Sequence, residues 1–236
     1  MALVNSETAK RLLSALGTDS GRKAFLGDGS KYDAVPATKI MKLHHSVGDA
    51  VKRIGALEWD KTRTPAQQHS AGRKIAEATV AEISKTRAEL KSWVAKENAA
   101  AMQAVEDALA PDLGTAAQVM RSEIRAFVLS KQSDPAFGAE LRGLVETDLR
   151  FATALFEAPA ALSGMSQERL NTLRLNAAIA HAPEAAERVR LASEVAELDR
   201  KLASVAAEVP RSFYDGNIEK GMATHVDVNA PLATEE

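Results

Sequence analysis

Between Pro65 and Pro111 the chain has no proline, and Gly72 is the only glycine. No other feature restricts the fold as much. A proline inside a helix removes a backbone donor and clashes with the preceding turn, so this stretch leaves a helix free to propagate. Its start is marked too. Thr64 can cap, Pro65 takes the first helical position, and Gln67 can close a reciprocal capping box. The pattern predicts one helix over about 65–110, ~65 Å long at about 1.5 Å per residue. Its apolar positions are Ile75, Ile83, Leu90, Val94, Met102, Val105 and Leu109, with Glu97 and Asn98 interrupting the stripe. A break near Asn98 is the alternative. A helix this long exceeds the width of a small domain and needs a partner along part of its length.

The remaining segments also read as helices. Asn5 or Ser6 caps a first one, from about Ser6 to Leu16, which Gly17 stops. Residues 17–36, with Gly17, Gly21, Gly27, Gly29 and Pro36, read mostly as loop, with a short turn at Lys23–Leu26. A helix over about Ala37–Trp59 carries Ile40, Leu43, Val47, Ala50, Ile54 and Leu57 at alternating steps of three and four. After Pro111-Asp112-Leu113-Gly114 come helices over about Thr115–Lys131, with Met120, Ile124 and Phe127 on one face, and from Ser133-Asp134-Pro135 to about Glu157. Ser166 caps another, holding Leu170, Leu173 and Ala177, which stops before Pro183. The cleanest seam is Leu191, Val195, Leu198, Leu202, Val205 and Val209, on a coiled-coil-like helix over about 183–208.

These elements define an all-α chain, an elongated helical bundle. Residues 1–36 form an N-terminal helix and Gly-rich loop, 37–210 the bundle, and 211–236 an extended C-terminal arm. In that arm Phe213, Tyr214 and Ile218 are placed to anchor it on a neighbour. Together with Leu191, Val195, Leu198, Leu202 and Val205 they make up the expected interaction surface. No repeat of fixed period is visible, which argues against a solenoid.

Composition narrows the function. Aromatic residues are only 4% of the 236, so burial depends on alanine, which favours helices but covers little area. Self-association would supply the missing burial. The absence of cysteine excludes disulfides, thiolate catalysis and cysteine-based metal sites. No run nears the ~20 apolar residues of a membrane span, and the N-terminus lacks signal-peptide character. Residues 1–96 hold 17 Lys/Arg against 10 Asp/Glu (+7), and residues 97–236 hold 13 against 22 (−9). The basic run from Lys39 to Lys96 makes nucleic-acid contact the alternative reading, although no aromatic residues are interleaved for base stacking.

No catalytic, metal or cofactor motif stands out. His44 and His45 point about 100° apart on a helix and cannot share an ion. His45 and Asp49 offer two ligands and no third. His69, His181 and His225 are scattered, and Gly27-Asp28-Gly29-Ser30-Lys31 lacks the spacing of a phosphate or calcium loop. No enzyme activity and no cofactor are expected.

The stretch from Asp134-Pro135 to Pro183, around Leu155-Phe156-Glu157-Ala158-Pro159-Ala160-Ala161-Leu162-Ser163-Gly164-Met165-Ser166, resembles small helical proteins of tailed-bacteriophage structural gene clusters. The resemblance brings no site residues. It implies a virion or assembly component: scaffold, internal, connector or tail-associated. The partners expected of the chain are itself or other assembly proteins, with no membrane, in the virion or the bacterial cytoplasm.

Overall fold

Ser6 accepts a hydrogen bond from the Ala9 backbone N–H (3.1 Å) and starts α1, Glu7–Gly17. Thr18 then closes α1 and caps α2, Asp19–Leu26, accepting from the Gly21 N–H (3.0 Å). Residues 3–220 are described by a computed structural model, and among them every regular element is helical. The others are α3 (Ala34–Trp59), α4 (Pro65–Ala108), α5 (Thr115–Ser130), α6 (Phe137–Thr147), α7 (Leu149–Phe156), α8 (Gln167–His181), α9 (Pro183–Phe213) and α10 (Gly216–Lys220), with 3₁₀ turns at Gly29–Lys31 and Ala160–Ser163. The fold is all-α, and the breaker-free stretch is one helix of 44 residues. Its capping box forms as expected: the Thr64 N–H donates to Gln67 Oε1 (2.9 Å) and the Gln67 N–H to Thr64 Oγ1 (3.3 Å).

Where the sequence suggests one bundle over 37–210, the chain forms two compact units. Met1–Trp93 with Glu194–Glu236 makes the first, and Val94–Ser193 the second.

In the first unit α1 and α2 pack on α3, and α9 lies antiparallel to α4. Gly72 of α4 faces Phe213, while Arg87 pairs with Asp199. The inner face of α4 there is His69, Gly72, Ala76, Thr79, Ile83, Thr86 and Leu90. The steps alternate between three and four, and most of the residues are small or polar. Of the apolar positions read from the sequence in this part of α4, Ile83 and Leu90 are buried and Ile75 half-buried. The α3 stripe matches its expectation through Ile40, Leu43, Val47, Ala50 and Ile54.

Three differences here have structural causes. Residues 19–26 form a helix rather than a loop because Gly21 lets the chain double back. A Cβ at that position would collide with the Ala15 carbonyl. α3 begins at Ala34, since Pro36 sits in its first turn, where no intrahelical donor is required. α9 runs past Pro210 to Phe213, whose fully buried ring holds the last turn in the core.

Residues 214–220 therefore do not start a free arm. The Asp215 N–H donates to Nδ1 of buried His69 (2.8 Å), and burial favours the neutral imidazole this requires. Arg73 reaches Glu219 at 3.2 Å, and a Cβ on Gly72 would lie 2.8 Å from the Phe213 carbonyl oxygen. The segment is pinned on α4 of its own chain. The rest of the expected arm, 221–236, lies outside the described residues.

Asp199 on α9 is held by two cations of α4. Arg87 donates to both its oxygens (2.8 and 3.1 Å), and Lys91 lies 3.2 Å away. The Arg87 hydrogen bond is the main reason its pKa is lowered from 3.8 to about 2, against the opposing effect of burial. A depressed folded-state value stabilises above the unfolded one, and that contribution fades as pH falls from 3.8 through about 2. Thermal melts across this window should show wild type losing stability more steeply than Asp199→Asn. Parallel curves would mean that the pair contributes nothing.

Gly55, on α3, borders a cavity of about 260 Å³ with Leu13 and Ile54, and an added Cβ meets nothing within 4 Å. Gly55→Ala is expected to stabilise by ~1 kcal/mol through helix propensity. Calorimetry should show a rise in Tm of about 2–4 °C. An unchanged or lowered Tm would contradict the open geometry.

In the second unit α5, α6, α7 and α8 enclose Val128, Phe137, Leu141, Val145, Leu155 and Leu173. The expected helix to Glu157 breaks at Asp148, which ends α6 and caps α7 by accepting from the Arg150 N–H (2.9 Å). Leu141 and Val145 bury the inner face of α6, and across the break Ala152 and Leu155 take up the core face of α7 while Leu149 stays exposed. On α5 the buried face is Arg121, Ile124 and Val128, whereas Met120 and Phe127 remain exposed. Arg121 is buried because it pairs with Glu157 and donates to the Asp112 carbonyl, tying α5 to the end of α7.

Candidate functional site

α8 is apolar on two sides. Leu170, Leu173 and Ala177 face the core of the second unit. Leu175 and Ile179, four residues apart, share the opposite face, where they are 62% and 53% exposed. His181 anchors the end of α8 through Nε2, 2.8 Å from the Val145 carbonyl oxygen. The chain then reverses at Ala182, and Pro183 opens α9 at the position that needs no donor.

That reversal sets the first turns of α9 beside α8, with the last turns of α4 alongside. Between them lies a groove of about 840 Å³. Small residues (Ala101, Ala178, Ala185 and Ala186) lie along it, with Ala101 and Ala185 fully buried beneath. Four large apolar side chains stand out around it: Leu175, Ile179, Met102 from α4 and Val189 from α9. Charged residues complete the lining. Arg190 grips Glu187 with two hydrogen bonds, of 2.8 and 2.6 Å, which hold the Glu187 carboxyl below its usual range. Arg174 and Glu106 make no ion pair among the described residues.

The interaction residues expected from the sequence lie elsewhere. Val195, Leu198, Leu202, Val205 and Phe213 are buried inside the first unit, so the seam is spent on the protein's own core. Leu191, in the second unit, and Tyr214 are half-buried, and Ile218 is exposed. Sequence reasoning gave Leu175, Ile179 and Val189 no role, and it read Met102 only as part of the α4 stripe, whereas Met102 is exposed. A signal for the first two was present: Leu175 and Ile179 are spaced like a stripe but lie out of phase with Leu170, Leu173 and Ala177.

The basic run is largely engaged. Lys39 pairs with Glu89, Lys42 with Glu82, Lys52 with Asp49, Arg73 with Glu77 and Glu219, and Arg87 and Lys91 with Asp199. Carboxylates at these positions compete with phosphate for the same cations. His44 is buried, its Nε2 2.9 Å from the Gly27 carbonyl oxygen, whereas His45 is exposed. Among the described residues no three His, Asp or Glu side chains are grouped to hold a metal ion, and no helix is long and apolar enough to cross a membrane.

No protein-family model, curated protein or solved structure matches this chain.

Proposed function

We propose that the protein is a non-enzymatic structural or assembly component that self-associates, or docks on a larger assembly, through the apolar groove of its second unit. The observation that carries this reading is the cluster of Met102, Leu175, Ile179 and Val189. These side chains come from three helices and are 43–65% exposed around one concave surface. Single exposed apolar residues are ordinary, but a contiguous patch with charges beside it is the mark of a protein-binding face. The setting proposed is a bacteriophage virion, on the resemblance carried by residues 134–183. Nucleic-acid contact is the less favoured reading, given how many cations of the basic run already face carboxylates.

Sedimentation over a wide concentration range tests the proposal. Wild type should gain mass with concentration, and Leu175→Glu should lose that gain. Because Leu175 is exposed, the substitution should move stability by no more than about 0.5 kcal/mol. The groove is not a docking face if wild type stays monomeric throughout and Leu175→Glu leaves binding of an apolar fluorescent dye unchanged.

A further inference from the structure

We infer that the groove's occupant is a second copy of the same chain, related by a two-fold axis, with Arg174 of each copy set against Glu106 of the other. This rests on the groove being a docking face. A two-fold interface uses one patch twice, so that patch must carry both halves of every contact. This one does. Leu175 and Ile179 project as knobs, and the alanine-lined hollow beside them is the matching receptacle. The charges divide in the same way. Glu187 and Arg190 neutralise each other within the chain, leaving Arg174 and Glu106 as the groove's two unpaired charges, of opposite sign.

A partner bearing a single sign of charge would satisfy one of these and repel the other. A second copy turned through 180° satisfies both, because it brings an arginine to the glutamate and a glutamate to the arginine. The helix geometry agrees. Antiparallel contact of two α8 helices about a two-fold axis places Leu175 of one copy near Ile179 of the other. With aromatics at only 4% of the chain, such an interface would also supply burial that the protomer lacks.

The test is a pair of charge reversals, Arg174→Glu and Glu106→Arg, each followed by sedimentation alone and in a 1:1 mixture. Both positions are exposed, so the variants should melt like wild type. Each alone sets like charges together at both contacts and should weaken dimerisation roughly tenfold or more. The mixture should recover the dimer mass, because a heterodimer of the two variants has opposite charges at both contacts. A mixture no heavier than its components overturns the two-fold pairing. If Leu175→Glu nonetheless abolishes association in that case, the groove still binds and only the arrangement is wrong. If Leu175→Glu leaves the wild-type mass unchanged, association uses another surface and the groove reading falls with this one.

Discussion

Leu198→Asp should unfold the first unit, at a cost of about 3–5 kcal/mol. Leu198 is almost fully buried on α9, and its methyl groups close over Gly27, which ends α2 with φ of +94°. The approach is so close that a Cβ on Gly27 would lie 2.7 Å from Leu198 Cδ2. A carboxylate there loses the packing and is left to find a partner in an apolar seam, since Arg87 and Lys91 are already committed to Asp199. Ala196→Asp, on the exposed face of the same helix, controls for the added charge and should be nearly neutral. Urea unfolding followed by circular dichroism compares the two. Similar midpoints for both variants would mean that the seam is not a core.

The second large effect is expected of Ala88→Pro. Ala88 is exposed, so the substitution removes almost no side-chain contact and acts on the backbone. It deletes one hydrogen bond, forces the ring against the preceding turn and should cost ~3 kcal/mol or more. The damage extends beyond the local turn, because Ile83, Thr86 and Leu90 on either side are buried in one stripe that a kink would misalign. Ala88→Gly isolates propensity from steric breakage and should cost about 1 kcal/mol. Equal losses in the two variants, measured by thermal melting, would show that the helix bends there at little cost.

Both substitutions fall in helices that the amino-acid sequence makes legible. α4 can be placed because its signals are local: a cap, a proline at the first position, a glutamine three residues after the cap and then no breaker until Pro111. The α9 seam is readable because Val195, Leu198, Leu202, Val205 and Val209 are large and evenly spaced, and all are buried. Helix boundaries of this kind follow from hydrogen bonds and sterics within a few residues.

Which surface each face meets is not written locally. The inner stripe of α4 in the first unit is rich in alanine, threonine, glycine and histidine, because α9 brings the bulk and close approach of two backbones requires small partners. Gly72, beneath the Phe213 carbonyl, is the clearest case. Residues 211–220 resemble a tail in composition, yet they are held by a histidine and an arginine some 146 positions away in sequence. The groove shows the same limit from the other side. Leu175 and Ile179 are helical residues by any local criterion, and only the packing of Leu170, Leu173 and Ala177 into the core leaves them facing outward. Hydrogen bonds and caps form between near neighbours, so the sequence by itself places the long helices, whereas α2, the break at Asp148 and the last turn of α9 emerge only in the folded chain. Burial arises between segments far apart in the chain, so outside the large, evenly spaced stripes of α3 and α9 only the tertiary structure sets which faces are hidden and which are presented.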